Sequence, residues 1–252
     1  MNDNGIIINA DDFGYSHNIN NTILEYIKLG YCNSTTVMIN CNDYIETYNL
    51  AKDAGITQQV GLHLNLTIGE PISNEIKACS SFCKNGQFNG YKSKTYKRFS
   101  INKKEKNAVE KEIRAQIERY LKIGYTGLSM DSHQGIHFDL SIYPIVIKLF
   151  KEYGFKRIRR SPNINVDIKR SLIRLPYNYA IKRSGIETTD YLGNFYALKT
   201  ADFKLSNNKT IEIMCHPQKM NGLDYIDGVS ELLLKDYLYF FQKEYITWRQ
   251  SI

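Results

Sequence analysis

The sequence has no apolar run of roughly 18 residues, the length a membrane-spanning helix requires, so no such span is expected. It opens Met-Asn-Asp-Asn-Gly-Ile, without the basic and long apolar regions of a signal peptide. Cysteine is scarce and odd in number: Cys32, Cys41, Cys79, Cys83 and Cys215 make five at irregular spacing. That excludes a disulfide framework and fits a reducing cytoplasm. Cys79 and Cys83 form a CxxxC with no second pair, so they read as buried or incidental thiols and not as a zinc site. No internal repeat and no low-complexity tract is present. Histidine is scarce too, with only His17, His63, His133, His137 and His216.

With 252 residues and 42% hydrophobic content, the chain suits one domain, 1–252, of the size usual for a single α/β barrel. The net charge of +7 brings nucleic acid to mind. Much of the excess, however, sits between Lys92 and Lys106, interleaved with Tyr91, Tyr96 and Phe99. A solvated, lysine-rich loop is the preferred reading, and no nucleic-acid partner is expected.

Strand-like and helix-like segments alternate. Residues 5–10, 34–39, 59–64, 127–131, 157–159 and 211–215 read as strands. Helical spacing follows in Ile19, Ile23, Tyr26 and Ile27, then in 43–54, 103–123, 141–153 and 230–245. This alternation predicts parallel βα units, an α/β fold of barrel-like type. Between about 67 and 102 the rhythm breaks, which predicts an insertion near the site, serving as a lid or as a contact in a homodimer. The stretch 161–209 gives no clear pattern.

The first strand runs Ile6-Ile7-Ile8-Asn9-Ala10 into Asp11-Asp12-Phe13-Gly14. Two adjacent carboxylates repel, so a simple turn would rarely use them; at a strand end one can hold a metal while the other takes a proton. His63, His133 and His216 end later strands in the same way. Parallel strands open at one face, where barrel active sites are built. Two imidazoles and a carboxylate suit one divalent ion with open positions. Asp131 is placed to orient a metal-binding histidine or to cap its strand. His17 opens the first helix and is a weaker candidate. His137 is a candidate for ligation, substrate binding or structure.

The ordered set Asn9-Ala10-Asp11-Asp12-Phe13-Gly14, Ser34-Thr35-Thr36, Gly61-Leu62-His63, Asp131-Ser132-His133 and His137 resembles the YdjC-like carbohydrate deacetylases. The resemblance implies a (β/α)-barrel-like fold, one divalent metal and removal of acetyl groups from N-acetylated sugars such as chitooligosaccharides. By that match Asp12, His63 and His133 take the metal positions, Asp11 the catalytic base and His216 the catalytic acid. Arg159 carries over as a substrate-binding or Asp-orienting residue, and we place His137 with it as substrate-binding. The resemblance points to Mg, though imidazoles favour Zn, and Mn, Co or Ni also fit. Two departures stand out: Gly135 replaces a frequent histidine, and Arg159-Arg160-Ser161-Pro162-Asn163 lacks a frequent Arg-Glu pair. The rival readings are a metal-dependent phosphoesterase or nuclease, and a non-catalytic sugar-binding protein.

Overall fold

A computed structural model describes residues 5–90, 101–220 and 224–228. The expected C-terminal helix, 230–245, and the part of the basic stretch from 91 to 100 lie outside them. Seven strands belong to parallel sheet and their connections carry helices, so the expected α/β class is the observed one. By compactness the chain divides into a first unit, residues 1–35 and 159–252, and a second, residues 36–158.

In the first unit, β1 (Ile6–Phe13) leads through α1 (His17–Lys28) to the start of β2 (Ser34–Val37). Ser16 caps α1, its hydroxyl accepting from the Ile19 N–H, and the helix buries Ile23 and Tyr26. β9 (Ile211–Cys215) lies between β1 and β8 (Tyr191–Asn194), parallel to both. The register pairs Ala10 with Cys215, which sets Asp11 of β1 level with His216, the residue that follows β9. β1 is longer than its apolar run predicts and carries both carboxylates to Phe13. Asp12 sits at φ +69°, a left-handed conformation Asp tolerates better than bulkier residues, and a turn closes from the Tyr15 N–H to its carbonyl at 3.0 Å.

The second unit contains the rest of β2, α2 (Tyr44–Asp53), β3 (Val60–Leu64), a short α3 (Asn74–Lys77) and the β4–β5 hairpin (Cys83–Lys84, Gln87–Phe88). α4 (Lys103–Ile123), β6 (Ser129–Ser132), a 3₁₀ turn (His133–Phe138), α5 (Tyr143–Glu152) and β7 (Arg157–Ile158) follow. β6 runs parallel to both β3 and β7. The α4 start is a full capping box: Asn102 Oδ1 accepts from the Glu105 N–H at 2.9 Å, and Glu105 Oε2 from the Asn102 N–H at 2.8 Å. Within the insertion, α3 and the hairpin bury Ile76, Phe82 and Phe88, so its first part is a packed element and not an open loop.

Close backbone approach fixes Gly127. A Cβ there would lie 2.0 Å from the Val60 carbonyl oxygen, which also accepts the buried Tyr120 hydroxyl at 2.7 Å. Gly127→Ala is therefore expected to destabilise the protein by about 1–3 kcal/mol, read as a lower denaturation midpoint at unchanged slope.

The stretch 161–209, unparsed from sequence, supplies α6 (Ile168–Arg183), β8 and α7 (Phe195–Thr200) in the first unit, followed after β9 by the antiparallel hairpin of β10 (Pro217–Met220) and β11 (Asp224–Asp227). Pro176 lies inside α6, and among its described side chains Ile168, Leu172, Leu175 and Tyr179 are exposed, so its pattern resembles neither a buried nor an ordinary amphipathic helix. All five cysteines are free thiols; burial pushes Cys83 up to about 12, which fits inert core thiols. No helix among the described residues is long and apolar enough to cross a membrane.

Candidate active site

In the first unit the site grows from the parity of β1. Residues two apart share a face of a strand, so Asn9 and Asp11 point the same way, and Asn9 Nδ2 donates to Asp11 Oδ1 at 2.8 Å. Arg159, just past β7, grips Asp11 with both terminal nitrogens, Nη1 to Oδ2 and Nη2 to Oδ1, each at 2.6 Å. Its Nε donates to Glu212 Oε1 at 2.6 Å. All three side chains are about 5% exposed, so one guanidinium fork serves two buried carboxylates.

His216 leaves β9 beside this cluster. Its Nε2 is 3.8 Å from Asp11 Oδ2 and its Nδ1 is 3.5 Å from Asp227 Oδ1. The same Asp227 oxygen accepts the His216 backbone N–H at 2.7 Å. Burial works to lower the imidazole pKa, but Asp227 and the charges of Asp11 and Asp12 outweigh it, and the net direction is upward from the ordinary histidine value. The result is a partly exposed imidazole biased toward carrying a proton next to a clamped carboxylate.

The second unit gathers the other histidines. The register sets His63 opposite Asp131, and His63 Nδ1 meets Asp131 Oδ1 at 2.6 Å. The Thr36 hydroxyl donates to Asp131 Oδ2 at 3.1 Å and lies 3.1 Å from the same ring nitrogen. A carboxylate can only accept here, so Nδ1 carries the proton and Nε2 is the nitrogen able to ligate a metal. His133 Nδ1 meets Thr67 Oγ1 at 2.6 Å. The two rings stand 6.0 Å apart, centroid to centroid, at 70°.

His137 is fully buried; its Nδ1 meets the Ser132 hydroxyl, which also accepts the His137 N–H at 3.1 Å, and its ring lies against Phe138. This holds the turn that presents His133. Gln134 and Gly135 are both left-handed there, at φ +53° and +63°, so a histidine at 135 would be strained on this backbone. His17 is exposed as the first residue of α1.

The structure thus brings Asp11, Arg159 and His216 together in one unit and His63, Asp131 and His133 in the other. Glu212, Asp227 and Thr67 escaped the sequence reading, and Thr36 entered it as part of the Ser34-Thr35-Thr36 motif without a role of its own. Glu212 left a usable signal: an acid between Ile211 and Ile213 in a buried strand requires a cation. Asp227 left none, since its role depends on the hairpin that returns it to His216.

The family described as YdjC-like protein matches residues 5–245. A carbohydrate deacetylase from Clostridium beijerinckii is 31% identical over 221 residues, covering 84% of this chain and 80% of that protein. One from Brevibacillus brevis is 34% identical over 148 residues, 59% of this chain and 56% of that protein. A crystal structure from Enterococcus faecalis, described as a cellobiose-phosphate cleavage protein, shares the fold with a TM-score of 0.68 at 24% identity, covering 86% of this chain and 82% of that one. The chain belongs to the YdjC family.

Proposed function

We propose that the protein is a metal-dependent hydrolase that removes acetyl groups from N-acetylated sugars or oligosaccharides. The observation that carries this reading is the pair formed by Asp11, held by Arg159, and His216, held by Asp227. Amide hydrolysis needs one group to take a proton from water and another to give one to the leaving amine. The carbohydrate deacetylase relatives support the same chemistry.

By residue type, the proposed donors Asp12, His63 and His133 suit one divalent ion. Asp131 directs Nε2 of His63 to ligation, the ring of His133 lies near it, and Asp12 is the carboxylate the family match assigns. When bound, such an ion polarises the acetyl carbonyl and makes water acidic enough to attack near neutral pH. Asp11 accepts the proton of the attacking water. As the C–N bond breaks, His216 delivers its proton to the sugar nitrogen, because an amine leaves readily only when protonated. Arg159 is 5% exposed and spends its three donor nitrogens on Asp11 and Glu212, so in this reading it orients the base and does not face substrate. His137 holds the turn under His133. Magnesium as the native ion and a cytoplasmic setting belong to the same proposal.

Acetate release from mono- to oligomeric N-acetylhexosamines, with Mg, Zn, Mn, Co and Ni compared, tests the reading. Activity is expected to vanish on chelation and to return with a single ion per chain. No acetate from any of these substrates with any metal would overturn it. Two tightly bound ions per chain would favour phosphoester chemistry instead.

A further inference from the structure

Two metal-site histidines are oriented by different chemistry, and the difference has a consequence within the second unit. His63 has a carboxylate at Nδ1, whereas His133 Nδ1 meets the Thr67 hydroxyl, a group that can either donate or accept. Which it does decides whether Nε2 of His133 has a lone pair to offer. Thr67 Oγ1 also lies 3.0 Å from Asn65 Oδ1. The Asn65 amide cannot be turned over, because its Nδ2 donates to Asn40 Oδ1 at 3.0 Å and to the Ile68 carbonyl at 2.8 Å. Its Oδ1 accepts the backbone N–H groups of Thr67 at 3.0 Å and Ile68 at 3.2 Å. The oxygen facing the hydroxyl is therefore an obligate acceptor.

We infer that Asn65 and Thr67 are positioning residues that set the tautomer of His133. A hydroxyl has one proton. Given to Asn65 Oδ1, it leaves Thr67 Oγ1 as the acceptor for the Nδ1–H of His133, and Nε2 becomes the ligating nitrogen. The inference deepens the deacetylase reading and rests on it for the role of His133. The hydroxyl–amide relay is neutral, so it orients the ring without the charge that Asp131 brings to His63.

The relay is anchored in α4. Gln116 holds the Asn65 backbone from both sides, its Oε1 accepting the Asn65 N–H at 3.1 Å and its Nε2 donating to the Asn65 carbonyl at 2.7 Å. That Nε2 also donates to Glu112 Oε1 at 2.8 Å. Glu112 in turn accepts the Ile72 N–H at 3.1 Å and the Ser73 N–H at 2.7 Å, at the entry to the insertion. Asn65, Gln116 and Glu112 are fully buried and Thr67 nearly so, which makes every lost partner costly. The link from α4 and the insertion to the His133 ring is thus one continuous set of hydrogen bonds.

Cobalt(II) titration of the full-length chain tests this. Thr67→Val, which keeps the shape and removes the hydroxyl, is expected to weaken cobalt binding by about 10- to 100-fold. Thr67→Ser, which keeps the hydroxyl, is expected to bind as the unsubstituted protein does. A Thr67→Val protein that binds cobalt normally while His133→Ala does not would overturn the relay. A His133→Ala protein that binds cobalt normally would instead overturn the metal set proposed above. Nitrogen-15 NMR of the metal-free, unsubstituted protein reads the tautomer independently of any variant's folding. His133 Nδ1 is expected to give the signal of a protonated ring nitrogen and Nε2 that of a bare one, and the reverse assignment would refute the inference.

Discussion

An Asp11→Asn protein is expected to keep its metal and lose roughly 10²- to 10⁴-fold in turnover, the usual contribution of a positioned general base. The amide matches the carboxylate in shape but cannot take a proton at neutral pH. Metal content should be unaffected, because the proposed ligands are Asp12, His63 and His133. His63→Ala is expected to do the opposite and lose the metal itself. Comparing kcat with bound metal separates the two roles. Full activity in Asp11→Asn would sink the base assignment, and loss of metal would make Asp11 a ligand. Because Arg159 loses one of its two anionic partners in this variant, the thermal midpoint should be recorded alongside.

The second large effect is on folding. Arg159→Met is expected to destabilise the protein by about 3–5 kcal/mol, the range for removing one partner of a buried ion pair. Asp11 and Glu212 are each about 5% exposed, and the substitution leaves two carboxylates facing an apolar side chain. Native stability of a domain is only about 5–15 kcal/mol, so the loss is a large fraction of the whole. Arg159→Lys should fall between. It keeps a charge but not the fork that meets both oxygens of Asp11 at 2.6 Å while Nε meets Glu212. Denaturation midpoints at constant slope measure this directly. An unchanged midpoint in Arg159→Met would show that the buried cluster is solvated or that its carboxylates are neutral. At temperatures where Arg159→Lys remains folded, slower turnover with normal metal content would mark Arg159 as a residue that aims the base.

Much of the fold is legible in the sequence alone. β9 falls on the predicted 211–215 and α4 on 103–123, because an apolar run and a long amphipathic repeat are local signals. The stretch 161–209 failed for an equally local reason. α6 carries Pro176 and exposed Ile168, Leu172, Leu175 and Tyr179, so neither a proline-free interior nor a polar outer face announces a helix. Within the candidate site, the histidines and the Asp pair stood out as strand-end residues, whereas Asp227 and Thr67 have ordinary surroundings in sequence.

The sequence by itself determined the order of the βα units outside 67–102 and 161–209, the chemistry available at strand ends and the family. These follow from periodicity and residue type, which short stretches of chain carry on their own. Only the tertiary structure decided which groups serve which. Arg159 reaches Asp11 across 148 positions and His63 reaches Asp131 across 68. Such pairings depend on strand register, on which face of a strand a residue occupies and on the space around it. A one-residue slip between β1 and β9 would move His216 off the level of Asp11, with no change in the amino acids themselves.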